Sequence, residues 1–157
     1  MTDKNKVESF IKEKKLALVG VSKGGKKFGN AIHKELQGKG YELFIIHPTA
    51  KEINGSICYP DLSSLPDRVG GVVNVVPPQQ TEKIVQQAHE AGINKIWMQQ
   101  GSASEKAIEY CRDKEIEVIH GECILMFTQP QGFHKFHHWL WGLFGKLPKA
   151  HSPSHAH

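Results

Sequence analysis

The stretch Leu16-Ala17-Leu18-Val19-Gly20-Val21-Ser22-Lys23-Gly24-Gly25-Lys26-Lys27-Phe28-Gly29-Asn30 constrains this chain more than any other. An apolar run stops at a glycine, a loop of glycine and lysine follows, and a helical pattern opens at Phe28. A parallel strand feeds a helix in this way when the helix N-terminus is to hold an anion, because backbone N–H groups and the helix dipole converge there. The stretch points to an α/β sheet and a phosphate-bearing ligand. The plainer alternative is that the glycines only permit a tight turn and the lysines are solvated.

The rest of the chain repeats the alternation. Val7, Phe10 and Ile11 have helical spacing, which predicts a short N-terminal helix. A strand over 15–20 leads into a helix over 28–37, whose apolar face is Ala31, Ile32 and Leu36 and whose end is Gly38-Lys39-Gly40. A second strand over 41–46 closes at His47-Pro48. Residues 49–70 are turn-rich, with Asn54-Gly55, Pro60-Asp61 and Pro66-Asp67 as punctuation and a short strand at 56–58. The strand Gly71–Val76 is apolar at nearly every position, as a strand buried on both faces is, and Pro77-Pro78 stops it. A helix over 81–91, a strand over 95–98, a helix over 104–114 capped by Ser102 or Ser104, and a strand over 117–120 complete the pattern.

Such alternation predicts a Rossmann-like, doubly wound, mostly parallel sheet of five to six strands with helices on both faces. Ligands on these sheets sit at the carboxyl ends of the strands, near the point where strand order reverses. The candidate loops are therefore 21–29, 47–53, Pro77-Pro78, 99–102 and 121–123.

Composition narrows the partners. A chain of 157 residues supports one domain with one core. Lys+Arg 20 against Asp+Glu 16 gives a net charge of +4, too mild to argue nucleic acid. The only arginines are Arg68 and Arg112, whereas base readout favours arginine. Cys58, Cys111 and Cys123 have no paired spacing, which fits a reducing compartment. No signal peptide is legible, and no apolar run approaches the ~20 residues needed to span a bilayer. The expectation is a soluble cytoplasmic protein without membrane or nucleic-acid partners.

The common phosphate loops do not fit. Gly-x-Gly-x-x-Gly is absent, and Ile46-His47-Pro48 stands where a dinucleotide site has a ribose-binding acid. Gly20 to Lys26 nearly matches a nucleotide-hydrolysing P-loop, but Lys27 occupies the position of the magnesium-binding hydroxyl. A loop suited to phosphates without hydrolysis remains.

The chain resembles the small single-domain CoA-binding proteins, whose fold also forms the CoA-binding domain of the succinyl-CoA synthetase alpha subunit and of NDP-forming acyl-CoA synthetases. The resemblance covers about Lys15 to Met126. It rests on Ala17-Leu18-Val19-Gly20-Val21-Ser22, Lys27-Phe28-Gly29-Asn30 and Ile46-His47-Pro48, then on Gly55-Ser56-Ile57-Cys58-Tyr59-Pro60-Asp61-Leu62 with Leu65-Pro66. Val75-Val76-Pro77-Pro78, Ile96-Trp97-Met98-Gln99-Gln100-Gly101 and Gly121-Glu122-Cys123-Ile124-Leu125 complete it.

The resemblance implies that the first loop and Pro77 surround the pantetheine and pyrophosphate of CoA, with the end of the second strand near the adenosine. It nominates Gly20, Val21, Ser22, Lys23, Lys26, Lys27, Phe28, Gly29, Asn30, His47, Pro48, Val76, Pro77, Gln99, Gly101 and Cys123 as ligand-binding residues. The lysines supply charge for a pyrophosphate and a 3′-phosphate. Two departures stand out: Glu122 replaces the family's arginine, and His47 replaces its usual asparagine. No phosphohistidine domain or ATP-grasp partner is legible, so a binding protein for CoA or an acyl-CoA is expected rather than a complete ligase.

Cys123 has two readings, a buried small hydrophobe and a thiol that forms a mixed disulfide with CoA under oxidation. The first leads. Beyond the resemblance, Phe133, Phe136, Trp139, Leu140, Trp141, Leu143 and Phe144 predict an aromatic helix over 127–148 that packs back or self-associates as a homodimer, with a membrane surface ranked lower. The histidines from His134 to His157 lack acidic or thiol partners nearby and argue against a catalytic metal. The expected organisation is a CoA-binding domain over 1–126, that helix, and a disordered tail over 149–157. Two other classes stay open: an NADP-dependent oxidoreductase, and a CoA-sensing regulatory or scaffold protein acting through the C-terminal helix.

Overall fold

The computed structural model describes residues 3–128. The sheet is built from β1 (Lys15–Val19), β2 (Glu42–Ile46), β3 (Glu52–Ile53), β4 (Ser56–Tyr59), β5 (Gly71–Asn74), β6 (Lys95–Gln99) and β7 (Glu117–Glu122). Their spatial order is β3-β4-β2-β1-β5-β6-β7, and only β3 runs antiparallel to its neighbour. The helices are α1 (Lys4–Ile11), α2 (Phe28–Gln37), α3 (Pro78–Glu90), α4 (Glu105–Asp113) and α5 (Leu125–Thr128). The doubly wound, Rossmann-like architecture is as expected from the alternation, with seven strands instead of five to six.

The strand pleat explains how one short segment holds both faces. Leu16 and Leu18 of β1 pack with Ile32, Leu36 and Trp97 in one core, and Ala17 and Val19 pack with Val72, Val85, Ile96 and Met98 in the other. Successive side chains of a strand point to opposite faces, so a central strand apolar at every position serves two helical layers. Residues of α1, α2 and α5 belong to the first core and residues of α3 and α4 to the second. Trp97 lies at the first core's centre, with ring centroids 5.5 Å from Phe10 and 5.7 Å from Phe127, and its Nε1 donates to the Glu122 carbonyl at 3.0 Å.

β5 stops at Asn74 rather than Val76 and several other ends shift by one residue, and three further differences from the sequence expectation have a physical reason. The extra strand comes from a two-residue hairpin in which Asn54 (φ 50°) and Gly55 (φ 83°) turn β3 into β4. Asn-Gly is the favoured pair for such a turn because both central residues need positive φ. Helix α3 starts at Pro78 rather than Thr81, since a proline that ends a strand is also pre-set for the first helical position. Strand β7 runs on to Glu122 through a register shift at Gly121, whose φ is 80°.

The topology reverses at β1. The chain moves from β1 to β2 on one side and returns to β5 on the other, so α2 and α3 lie on opposite faces and the switch point falls at the carboxyl ends of β1 and β5, where sheets of this kind bind ligands. No helix among the described residues is long and apolar enough to cross a membrane. The expected C-terminal aromatic helix, its histidines and the tail lie outside the described residues, save for Phe127 and Thr128 at its start, which fall in α5.

Candidate functional site

Two glycines shape the switch point at the ends of β1 and β5. Gly20 has φ 121°, and a Cβ there would lie 2.8 Å from the Cβ of Val75, so the loops after β1 and β5 are in contact. A Cβ on Gly29, in the first turn of α2, would overlap the Gly20 carbonyl oxygen. Only a chain lacking both side chains lets α2 begin directly over the end of β1.

Asn30 then fixes the loop between them. Its Oδ1 accepts from the backbone N–H of Ser22 at 3.0 Å and of Lys27 at 3.3 Å, and its Nδ2 donates to the Ser22 carbonyl at 2.9 Å. The N–H of Gly25 donates to the same carbonyl at 3.2 Å. Residues 22–27 therefore form a closed turn, clipped from the helix side by one amide.

The turn is positively charged. Lys23, Lys26 and Lys27 are exposed, and positions 20–30 contain no acid. Neither of the two ion pairs among the described residues, Lys15–Asp67 and Lys95–Glu13, involves these lysines. The N-terminal end of α2 adds the partial positive charge of its dipole at the same place. Cations, a helix start and a backbone free of Cβ atoms where α2 meets β1 converge on one surface, a combination suited to phosphate. Val21 is buried in the first core, where Phe28 packs against it from its edge.

His47 stands at the end of β2. Its N–H donates to the Tyr59 carbonyl at 2.8 Å, and its Nδ1 accepts from the backbone N–H of Thr49 at 3.1 Å and of Ala50 at 2.9 Å. Pro48 and Pro77 are exposed, whereas Val76 is half-buried and packs against the second core. Gly101, at φ 92°, forms the exposed turn in which the Ser102 N–H donates to the Gln99 carbonyl at 2.8 Å.

Gln99 and Cys123, named among the expected ligand residues, are both buried. Gln99 is 1% exposed, and its Oε1 accepts from the Ile124 N–H at 2.7 Å. Its side chain holds the segment after β7 against the end of β6. Cys123 is 6% exposed. Burial pushes its thiol up and Glu122 adds to this, against hydrogen bonds from Gln99 and the N–H groups of Leu125 and Met126. A reactive thiol needs an electropositive, accessible setting, and Cys123 has neither, so the small-hydrophobe reading holds.

Sequence reasoning missed a buried polar chain beneath the switch point. Asn74, fully buried at the end of β5, donates through Nδ2 to Thr81 Oγ1 at 2.7 Å, and that hydroxyl donates to the Ser102 carbonyl at 2.6 Å. It joins β5, the first turn of α3 and the loop before α4. The signal was present in Val72-Val73-Asn74-Val75-Val76, where one amide interrupts an otherwise apolar strand.

The described residues contain no group of three or more His, Cys, Asp or Glu side chains that could hold a metal ion. A groove lined by Asp3, Lys6, Ile108, Arg112, Val118 and His120 lies at the outer edge, along β7. It is separated from β1 by β5 and β6.

Comparisons with known proteins bear on the family and the fold. A family model described as CoA binding domain matches residues 14–129. The ADP-forming acetate–CoA ligase I of Archaeoglobus fulgidus is 31% identical over 81 residues, which are 52% of this chain and 12% of the ligase. A conserved hypothetical protein from Pyrococcus furiosus has a solved structure with a TM-score of 0.69 and 39% identity, covering 72% of this chain and 97% of that one. The dinucleotide-forming acetyl-coenzyme A synthetase 1 of Ca. Korarchaeum cryptofilum matches with a TM-score of 0.60 and 26% identity, over 67% of this chain and 25% of the synthetase.

Proposed function

The chain belongs to the CoA binding domain family, and from that premise we propose that it binds coenzyme A or an acyl-CoA at the switch point over the ends of β1 and β5. The pyrophosphate lies against the 20–30 turn and the start of α2, and the adenosine end lies toward His47 and Pro48. The 3′-phosphate draws on the loop lysines, and pantetheine runs past Val76 and Pro77. Gly101 borders this site from the β6 side.

The observation that carries this reading is the Gly20–Gly29 contact. It sets the helix start directly over the strand end, with three lysines around it and no carboxylate. Coenzyme A needs backbone N–H donors and cations together. The lack of an acid after β2 fits the same ligand, because a carboxylate there would repel a phosphorylated ribose. It also disfavours NAD, whose ribose such an acid holds, and the absence of the dinucleotide fingerprint disfavours the NADP-dependent oxidoreductase reading.

The proposed role is binding rather than complete ligation. The stretch shared with the acetate–CoA ligase is 12% of that enzyme, and the ligase's activity is not carried over. Cytoplasmic residence belongs to the same reading, supported by three cysteines that are all free thiols. A role for residues 127–148 in dimerisation or partner binding, with the domain acting as a CoA sensor, is a separate question that truncation after Gln131 and sizing would answer.

Calorimetric titration with CoA, followed by competition with NADP, tests the proposal. Saturable CoA binding that NADP does not displace is expected. No heat from CoA or acetyl-CoA at millimolar concentration, or displacement by NADP at equal concentration, would overturn it.

A further inference from the structure

The ring of His47 does what an asparagine side chain does at a turn. Asparagine organises turns because its Oδ1, one bond beyond the γ-carbon, accepts backbone N–H groups two and three residues on. Nδ1 of histidine is attached to the same γ-carbon. Here it accepts from Thr49 N at 3.1 Å and Ala50 N at 2.9 Å, two and three residues on. Pro48 between them has no N–H to offer.

The backbone of His47 fixes the other side. Its N–H donates to the Tyr59 carbonyl at 2.8 Å, and a little further on the Lys51 carbonyl accepts from the Cys58 N–H at 2.9 Å. The 47–51 connection is thus tied at both ends to β4 and gathered in the middle by one ring nitrogen. Ala50, brought inward, packs against the first core.

We infer that His47 is a positioning residue that shapes the 47–50 turn for the ligand's adenosine end by presenting Nδ1 as an acceptor. This rests on the proposed binding of CoA at the switch point. It also assigns the tautomer. A nitrogen that accepts two N–H bonds carries no hydrogen, so the neutral ring holds its hydrogen on Nε2 and keeps one donor. Histidine here therefore makes the turn an asparagine would make and presents an imidazole N–H in place of an amide donor.

The test combines a spectrum with a rescue. In long-range 1H–15N spectra at pH 8, the histidine signals absent from His47→Asn belong to His47, and they should show Nδ1 unprotonated and Nε2 protonated. Amide exchange at Thr49 and Ala50 should be protected in the wild type, faster in His47→Ala, and slow again in His47→Asn. CoA affinity should fall about tenfold or more in His47→Ala, as expected for losing two hydrogen bonds and the order of a loop, with His47→Asn recovering it to within about threefold. A protonated Nδ1, or a His47→Asn protein that behaves like His47→Ala, would overturn the inference. So would equal CoA affinity in His47→Ala and wild type. If the wild type binds no CoA, the ligand reading fails, while the tautomer and exchange measurements still decide the turn.

Discussion

Gly29 of α2 and the carbonyl of Gly20 approach so closely that a Cβ on Gly29 would overlap the carbonyl oxygen. The contact joins the helix to the end of the central strand and sets where the helix begins. Gly29→Ala must push α2 away from β1. Overpacking of this kind costs ~1–3 kcal/mol, and the same displacement should open the phosphate turn. Urea denaturation should show the lower stability, and CoA titration of the folded variant should show weakened binding. Unchanged stability would mean that the contact relaxes at no cost.

Lys26 and Lys27 sit on that turn without contributing to the core. Lys26→Glu with Lys27→Glu should leave folding stability within about 0.5 kcal/mol of the wild type, as exposed substitutions do. CoA affinity should fall by roughly tenfold or more, and its decline with added salt should become shallower, because fewer cations face the phosphates. Calorimetry at two salt concentrations reads both effects. Wild-type affinity in the double variant would place the phosphates elsewhere.

The elements read best from the sequence were those on which several physical signals agreed. Helix α2 came out with its full range, Phe28–Gln37, because glycines mark its start and end and Ile32 and Leu36 mark its buried face. β3 was not legible, since two residues carry no periodicity, although Asn54-Gly55 announced its turn. The strand ends at the switch point were legible from the alternation. The direction of individual side chains there was not. Gln99 ends β6 and Cys123 follows β7, yet their contacts turn inward. Asn74 was hidden by its apolar neighbours, and its place under the switch point emerges only once α3 brings Thr81 to it.

Cys111 makes stability depend on alkaline pH. It is fully buried on α4, and burial pushes its thiol from 9.0 to about 11. Between those values the unfolded chain has lost the proton and the folded chain keeps it. The stabilisation is complete below pH 9 and is lost as pH rises toward 11, by about 1.4 kcal/mol per pH unit for this one thiol. Urea midpoints at pH 8, 9, 10 and 11 should fall along this slope, less steeply in Cys111→Ala than in the wild type. Identical slopes in the two proteins would contradict the assignment.

Cys123 should behave as a core residue. Buried and with its thiol pushed up, it should resist alkylation in the native protein at pH 8 and react at the rate of a free thiol once denatured. Incubation with diamide and CoA should give no adduct at Cys123 by intact mass. An adduct lost in Cys123→Ser would restore the redox reading.

Backbone amide shift mapping during a CoA titration tests the central claim most directly. Saturable shifts should concentrate in residues 20–30, in 47–50 and around Val76 and Pro77, where the sheet reverses. Shifts confined to the β7 edge around Lys6, Arg112 and His120, or no shifts with CoA at millimolar concentration, would contradict it.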